Sequence, residues 1–159
     1  MNKQTDLIAD PPKLGEMGLE NYAPYLMNRI MGRYNAALRD EMVALGLTTP
    51  KMRALAVLTV MDGVMIRELA VYAVVEQSTL SRAVEALVQG GLVRREPDAE
   101  DNRAMRVFLT DAGREANERL WPLMVVANGS MFKGISNEEQ RAFTATLQKM
   151  LRNIRKHNF

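Results

Sequence analysis

A chain of 159 residues, 47% hydrophobic and 25% charged, has the size and composition of one soluble globular domain with room for an added oligomerisation element. It contains no cysteine, which excludes disulfides, thiolate metal sites and thiol redox switches, and its formal net charge of +2 is too small to mark a polyanion-binding protein by itself. The opening NKQTDLIADPPK has no apolar core, and no later run approaches the roughly 18 apolar residues of a membrane span. A cytoplasmic protein with no membrane partner is expected.

In chain order, residues 1–18 carry Pro11-Pro12, Gly15 and Gly18 without hydrophobic periodicity and read as a flexible arm. From Asn21, the residues Tyr22, Leu26, Ile30, Tyr34, Ala37, Leu38, Met42 and Leu45 fall three and four apart, which predicts one long amphipathic helix ended by Gly46. Thr49-Pro50 opens a second helix through Met52, Leu55, Leu58 and Val60, with Asp62-Gly63 as its stop.

Residues 66–110 then read as helix, turn, helix and charged hairpin. Leu80, Ala83, Val84 and Leu87 have the i, i+3, i+4, i+7 spacing of one buried stripe. That stripe leaves Gln77, Ser78, Thr79, Ser81 and Arg82 facing water, a set of hydrogen-bonding side chains crowded into the first turns of a helix. Gly90-Gly91 closes it, and segments 92–96 and 105–110 read as two short strands around a polar loop. Beyond Thr110 a helical pattern runs into Pro122, which should kink or interrupt it. A last helix begins at Ser136, where Ser136 and Glu139 have capping-box spacing, and continues through Phe143, Leu147, Met150, Leu151 and Ile154. The fold class is therefore mainly α with a small β-hairpin.

Charge along the chain is uneven in an instructive way. Residues 51–110 carry eight Lys/Arg and eight Asp/Glu, so this segment is locally neutral. Arg94, Arg95 and Arg106 can be read either as phosphate contacts or as exposed ion pairs with Glu96, Asp98, Glu100 and Asp101, each pair contributing about 0–1 kcal/mol.

Glu68-Leu69-Ala70, Ser78-Thr79-Leu80-Ser81-Arg82, Gly91-Leu92-Val93, and Asp101-Asn102-Arg103 followed by Leu109-Thr110 and Gly113 together resemble the MarR family of winged helix-turn-helix regulators. The resemblance spans nearly the whole chain. It implies a homodimer that binds double-stranded DNA at a pseudo-palindromic operator, more in the manner of a repressor than of an activator. The implied organisation is a dimerisation helix in 19–48, a DNA-binding unit in 49–110 with recognition helix 76–90 and wing 92–110, and dimerisation helices in 111–159. Gln77, Ser78, Thr79, Ser81 and Arg82 would then meet base edges and phosphates, and Arg103 the minor groove. Asp101 would steady Arg103, with Arg94, Arg95 and Arg106 on phosphates.

Two positions depart from the family pattern, with Val74 in place of a turn glycine and Glu76 in place of a small cap. A β-branched residue is poor at positive φ, so either the turn takes another geometry or the first helix runs longer. Relatives that release DNA on binding a small aromatic anion suggest a pocket at Tyr25, Arg33, Tyr34, Arg53 and Trp121. A protein-interaction module that does not read DNA is the alternative that local neutrality supports. No cofactor or metal is expected. Catalysis lacks a constellation: His157 is the only histidine and lies near the chain end, and Glu138-Glu139 have no acid-base context.

Overall fold

The computed structural model describes residues 11–157, so the expectation for residues 1–10 lies outside it. Its elements are α1 (Leu14–Met17), a 3₁₀ turn (Leu19–Asn21), α2 (Ala23–Ala37), α3 (Arg39–Ala44), α4 (Thr49–Val60), β1 (Val64–Met65), α5 (Ile66–Ala73), α6 (Gln77–Gln89), β2 (Val93–Pro97), β3 (Met105–Leu109), α7 (Asp111–Met131) and α8 (Asn137–Ile154). The helical turn at 14–17 falls inside the arm that the sequence suggested over residues 1–18, and the one at 19–21 follows it. The long N-terminal helix is broken at Leu38 (φ −95°, ψ −7°), which turns α3 so that Leu38, Met42 and Leu47 enter the core while α2 buries nothing fully.

One core joins α3 to α7. Leu55, Leu58, Leu69, Leu80, Val84, Leu87, Val107 and Leu120 are at most 1% exposed and form a continuous cluster. Fully burying such side chains stabilises by roughly 1.5–3 kcal/mol each. The predicted stripe on α6 is the buried one: Leu80, Ala83, Val84 and Leu87. On α7, Gly113, Asn117 and Leu120 face the core, and beyond Leu120 no residue of that helix is buried. The helix runs unbroken through Pro122, contrary to an interruption. The carbonyl that Pro122 leaves without an N–H is that of Glu118, an exposed residue.

The sheet has three antiparallel strands in the order β1-β3-β2, with Val64 opposite Val107 and Val93 opposite Leu109. The two-residue β1 was not anticipated. It ties the start of α5 to the hairpin, and Val107 and Leu109 turn inward as the period-two pattern requires. Hydrogen bonds around Thr110 fasten α7 to the same place. Its hydroxyl donates to the Gly91 carbonyl (2.7 Å) and accepts from the Gly113 N–H (3.1 Å). A Cβ at Gly113 would stand 1.9 Å from the Leu92 carbonyl oxygen, so only glycine fits this approach.

No described helix is long and apolar enough to cross a membrane.

Candidate DNA interface and effector cleft

Three helices end in the same way, and the difference between them bears on the turn of the helix-turn-helix. After α3, the Leu47 N–H reaches back to the Met42 carbonyl and Gly46 has φ +66°; after α6, Leu92 reaches Leu87 and Gly91 has φ +70°. After α5, Val75 reaches Ala70 by the same backward bond, but the left-handed residue is Val74 (φ +53°, ψ +52°). The turn therefore keeps the glycine-type geometry. Neither expected alternative, a different turn nor a longer first helix, is what the chain adopts. A β-branched residue in this conformation costs about 1–2 kcal/mol. From α4, Arg53 donates to the Val74 carbonyl (Nη1 to O, 3.1 Å) and tethers the strained residue.

Glu76 starts α6. Its Oε2 accepts the Thr79 N–H at 3.1 Å and the Ser78 hydroxyl, so a glutamate does the capping that a shorter residue usually performs. The Ser78 hydroxyl bond, with the Ser78 and Thr79 backbone, holds the Glu76 carboxyl below its ordinary range. Gln77, Ser78, Ser81 and Arg82 are exposed, while Thr79 is half-buried and not fully open to water as expected. The Ser81 hydroxyl donates to the Gln77 carbonyl (2.9 Å) and Arg82 Nε reaches the Ser78 carbonyl only at 3.4 Å.

The hairpin loop is organised by Asp98, a residue outside the expected set. It is 6% exposed and accepts the N–H groups of Glu100 and Asp101 (2.9 Å each) and the Arg106 guanidinium. The Glu100 and Asp101 N–H groups, then Arg106, hold its carboxyl below the usual aspartate range. Arg106 also donates to the Gly63 carbonyl at 2.8 Å, which locks the wing to the loop before β1. Arg94 pairs with Glu96 and lies 4.6 Å from the centre of the Phe108 ring; Arg95 pairs with Glu85 of α6. Asp101 accepts the backbone N–H of Arg103 (3.0 Å) and not its guanidinium, so it shapes the turn. Of the four wing arginines, Arg103 alone has a side chain with no partner among the described residues, and it stands at the exposed tip.

A cleft of about 420 Å³ lies where α2, α4, α5 and α7 meet, within the size range of small-molecule sites. It brings together Tyr34 and Arg53 of the expected pocket, with Met31, Met52, Tyr72 and Met124 as further lining. Tyr25, Arg33 and Trp121 do not line it; Trp121 is 58% exposed. Burial pushes the Tyr34 hydroxyl above its ordinary value.

Residues 45–104 match the sequence model of the MarR family. A crystal structure of a MarR-family transcriptional regulator from Silicibacter pomeroyi is 60% identical, covers 93% of this chain and 100% of its own, and superposes with a TM-score of 0.88. The HTH-type transcriptional repressor IacR of Pseudomonas putida is 25% identical over 143 residues, 90% of this chain and 86% of that protein. BpsR of Bordetella bronchiseptica, whose DNA binding is regulated by 6-hydroxynicotinic acid, shares the fold at 24% identity and a TM-score of 0.70, over 80% of this chain and 97% of its own.

Proposed function

This chain belongs to the MarR family of transcriptional regulators, and from that premise we propose that it is a homodimer that binds a pseudo-palindromic DNA operator and represses by occupying a promoter. Residues 49–110 are the DNA-binding unit; 19–48 and 111–159 hold two copies together. The observation that carries this reading is the contrast among the wing arginines. Three are engaged within the protein, and Arg103 is left free at the tip of a loop that Asp98 fixes in place. A free guanidinium on a rigid hairpin suits the negative potential of a narrow minor groove. Gln77, Ser78, Thr79, Ser81 and Arg82 face the major groove, and Arg94, Arg95 and Arg106 contact phosphates only as far as their internal bonds allow.

Pairing is supported by what α2 and α8 leave uncovered. Neither contains a buried residue, and Leu26, Ile30, Phe143, Leu151 and Ile154 are all exposed. Two recognition helices then read half-sites about 34 Å apart. Selection from random duplexes tests the assignment: a pseudo-palindrome with half-sites one turn apart is expected, and Arg103→Ala should lose it. Weak, salt-sensitive binding shared by the variant and enriching no sequence would instead favour a winged module that docks proteins.

The cleft is the proposed effector site, for a small aromatic anion. Arg53 is its cationic side chain and also the tether of Val74, so an anion that draws the guanidinium inward frees the turn before the recognition helix. A ligand shifts DNA affinity only by preferring the released form. Titrating aromatic carboxylates against the DNA complex should release wild-type protein but not Arg53→Met.

A further inference from the structure

Glu76 stands at the exposed start of α6, at the end of the recognition helix that meets base edges in the proposed complex. Oε2 takes the Thr79 N–H and the Ser78 hydroxyl, and the Ser78 N–H and Thr79 hydroxyl add support to the charged form, while the carboxylate, at the exposed helix start with about four lone-pair sites, still has acceptor capacity to offer outward. No described Lys or Arg pairs with it. The same bonds decide what the neighbouring hydroxyls can do. Ser78 spends its proton on Glu76 and Ser81 spends its proton on the Gln77 carbonyl, so both present only lone pairs outward.

The first turn of this helix therefore carries one negative charge and outward lone pairs beside the Gln77 amide, with the Arg82 cation a turn further on. Such a surface repels phosphate oxygens, which are themselves acceptors. It matches the major-groove donors, which are the exocyclic amines of cytosine (N4) and adenine (N6). Capping alone does not call for so long a side chain: Ser, Asp or Asn closes a helix start better, and none of them extends as far toward a base. We propose that Glu76 is a specificity-determining residue, its carboxylate accepting a hydrogen bond from the exocyclic amine of one base, cytosine in preference, in each half-site. The proposal rests on the DNA-reading assignment above. The internal bonds to Oε2 hold the carboxylate in place before DNA arrives, so little side-chain freedom is lost on contact.

The test is selection from random duplexes by full-length wild type, Glu76→Ser and Glu76→Gln, with helix content checked by circular dichroism. Serine retains a capping hydrogen bond, so the helix start survives. Wild type should enrich a motif with cytosine at one fixed position of each half-site. Glu76→Ser should keep the rest of the motif, lose discrimination at that position by on the order of tenfold or more, and bind unrelated duplex more tightly because a charge facing phosphates is gone. Glu76→Gln should shift the position toward adenine, whose N6 and N7 an amide pairs with. If wild type enriches a motif and Glu76→Ser enriches the same bases at every position, Glu76 only caps the helix and the inference is overturned. If wild type enriches no motif, the DNA-reading assignment falls and takes the inference with it.

Discussion

The winged unit and the terminal helices are built to opposite specifications. In α4 to β3 the apolar stripes meet one another, the core residues are sealed, and hydrogen bonds join segments far apart in sequence: Arg106 to Gly63, Leu109 to Asp62, Thr110 to Gly91. In α2 Leu26 and Ile30 face outward although Tyr34 packs on the core, and α8 has no substantial packing partner among the described residues beyond the edge contact of Phe143 with Phe132. An 18-residue amphipathic helix without a partner surface gains little from propensity alone. One region completes itself; the other leaves apolar side chains uncovered.

Four changes sharpen that difference, beginning with the largest. Leu80→Ala, at a site with 0% exposure, should cost about 2–5 kcal/mol in denaturant unfolding. That cost should not vary with protein concentration. Leu151→Ala, at 62% exposure, should cost little in dilute solution and more as concentration rises, because its contribution depends on association. Gly113→Ala comes next, at roughly 1–3 kcal/mol, since its methyl group would collide with the Leu92 carbonyl and force α7 away from the sheet. Val74→Gly runs the other way. It relieves left-handed strain of about 1–2 kcal/mol against a glycine entropy penalty of about 0.5–1 kcal/mol, so thermal melting should show a small gain.

The smallest effect is one of pH. The Asp98 carboxyl is held below the usual aspartate range in the folded protein, so its contribution is present above the unfolded value and is lost as pH falls through the lowered folded value. Amide exchange in residues 98–104 should accelerate selectively in that acid range, and Asp98→Asn should show the faster exchange already at neutral pH.

The parts of this architecture that are local in origin are legible in the sequence. The α6 stripe, the glycine ends at Gly46 and Gly91, and the Ser136–Glu139 capping box each follow from residues within one or two turns of one another. The parts that escape are set by contacts across the fold. Asp98 reads as one half of an exposed ion pair with Arg106, and only the fold shows it buried and holding the Glu100 and Asp101 N–H groups, while Arg95 finds Glu85 only because β2 packs on α6. Arg53 reads as a pocket cation, and only the fold shows that it also holds the turn. No Gly or Pro marks the break at Leu38; the pull of the core on its side chain places it. Val74 is the instructive case: its unsuitability for positive φ is plain from the sequence, and the backward hydrogen bond of Val75 overrides it.

The claim that the terminal helices are half of an interface is tested most directly by sedimentation equilibrium of the full chain, beside a Phe143→Glu/Leu151→Glu variant. The expected result is twice the chain mass for wild type and a single chain mass for the variant, with the buried winged core still unfolding cooperatively. A wild-type protein that sediments as one chain at micromolar concentration, with α8 still helical, would contradict the account.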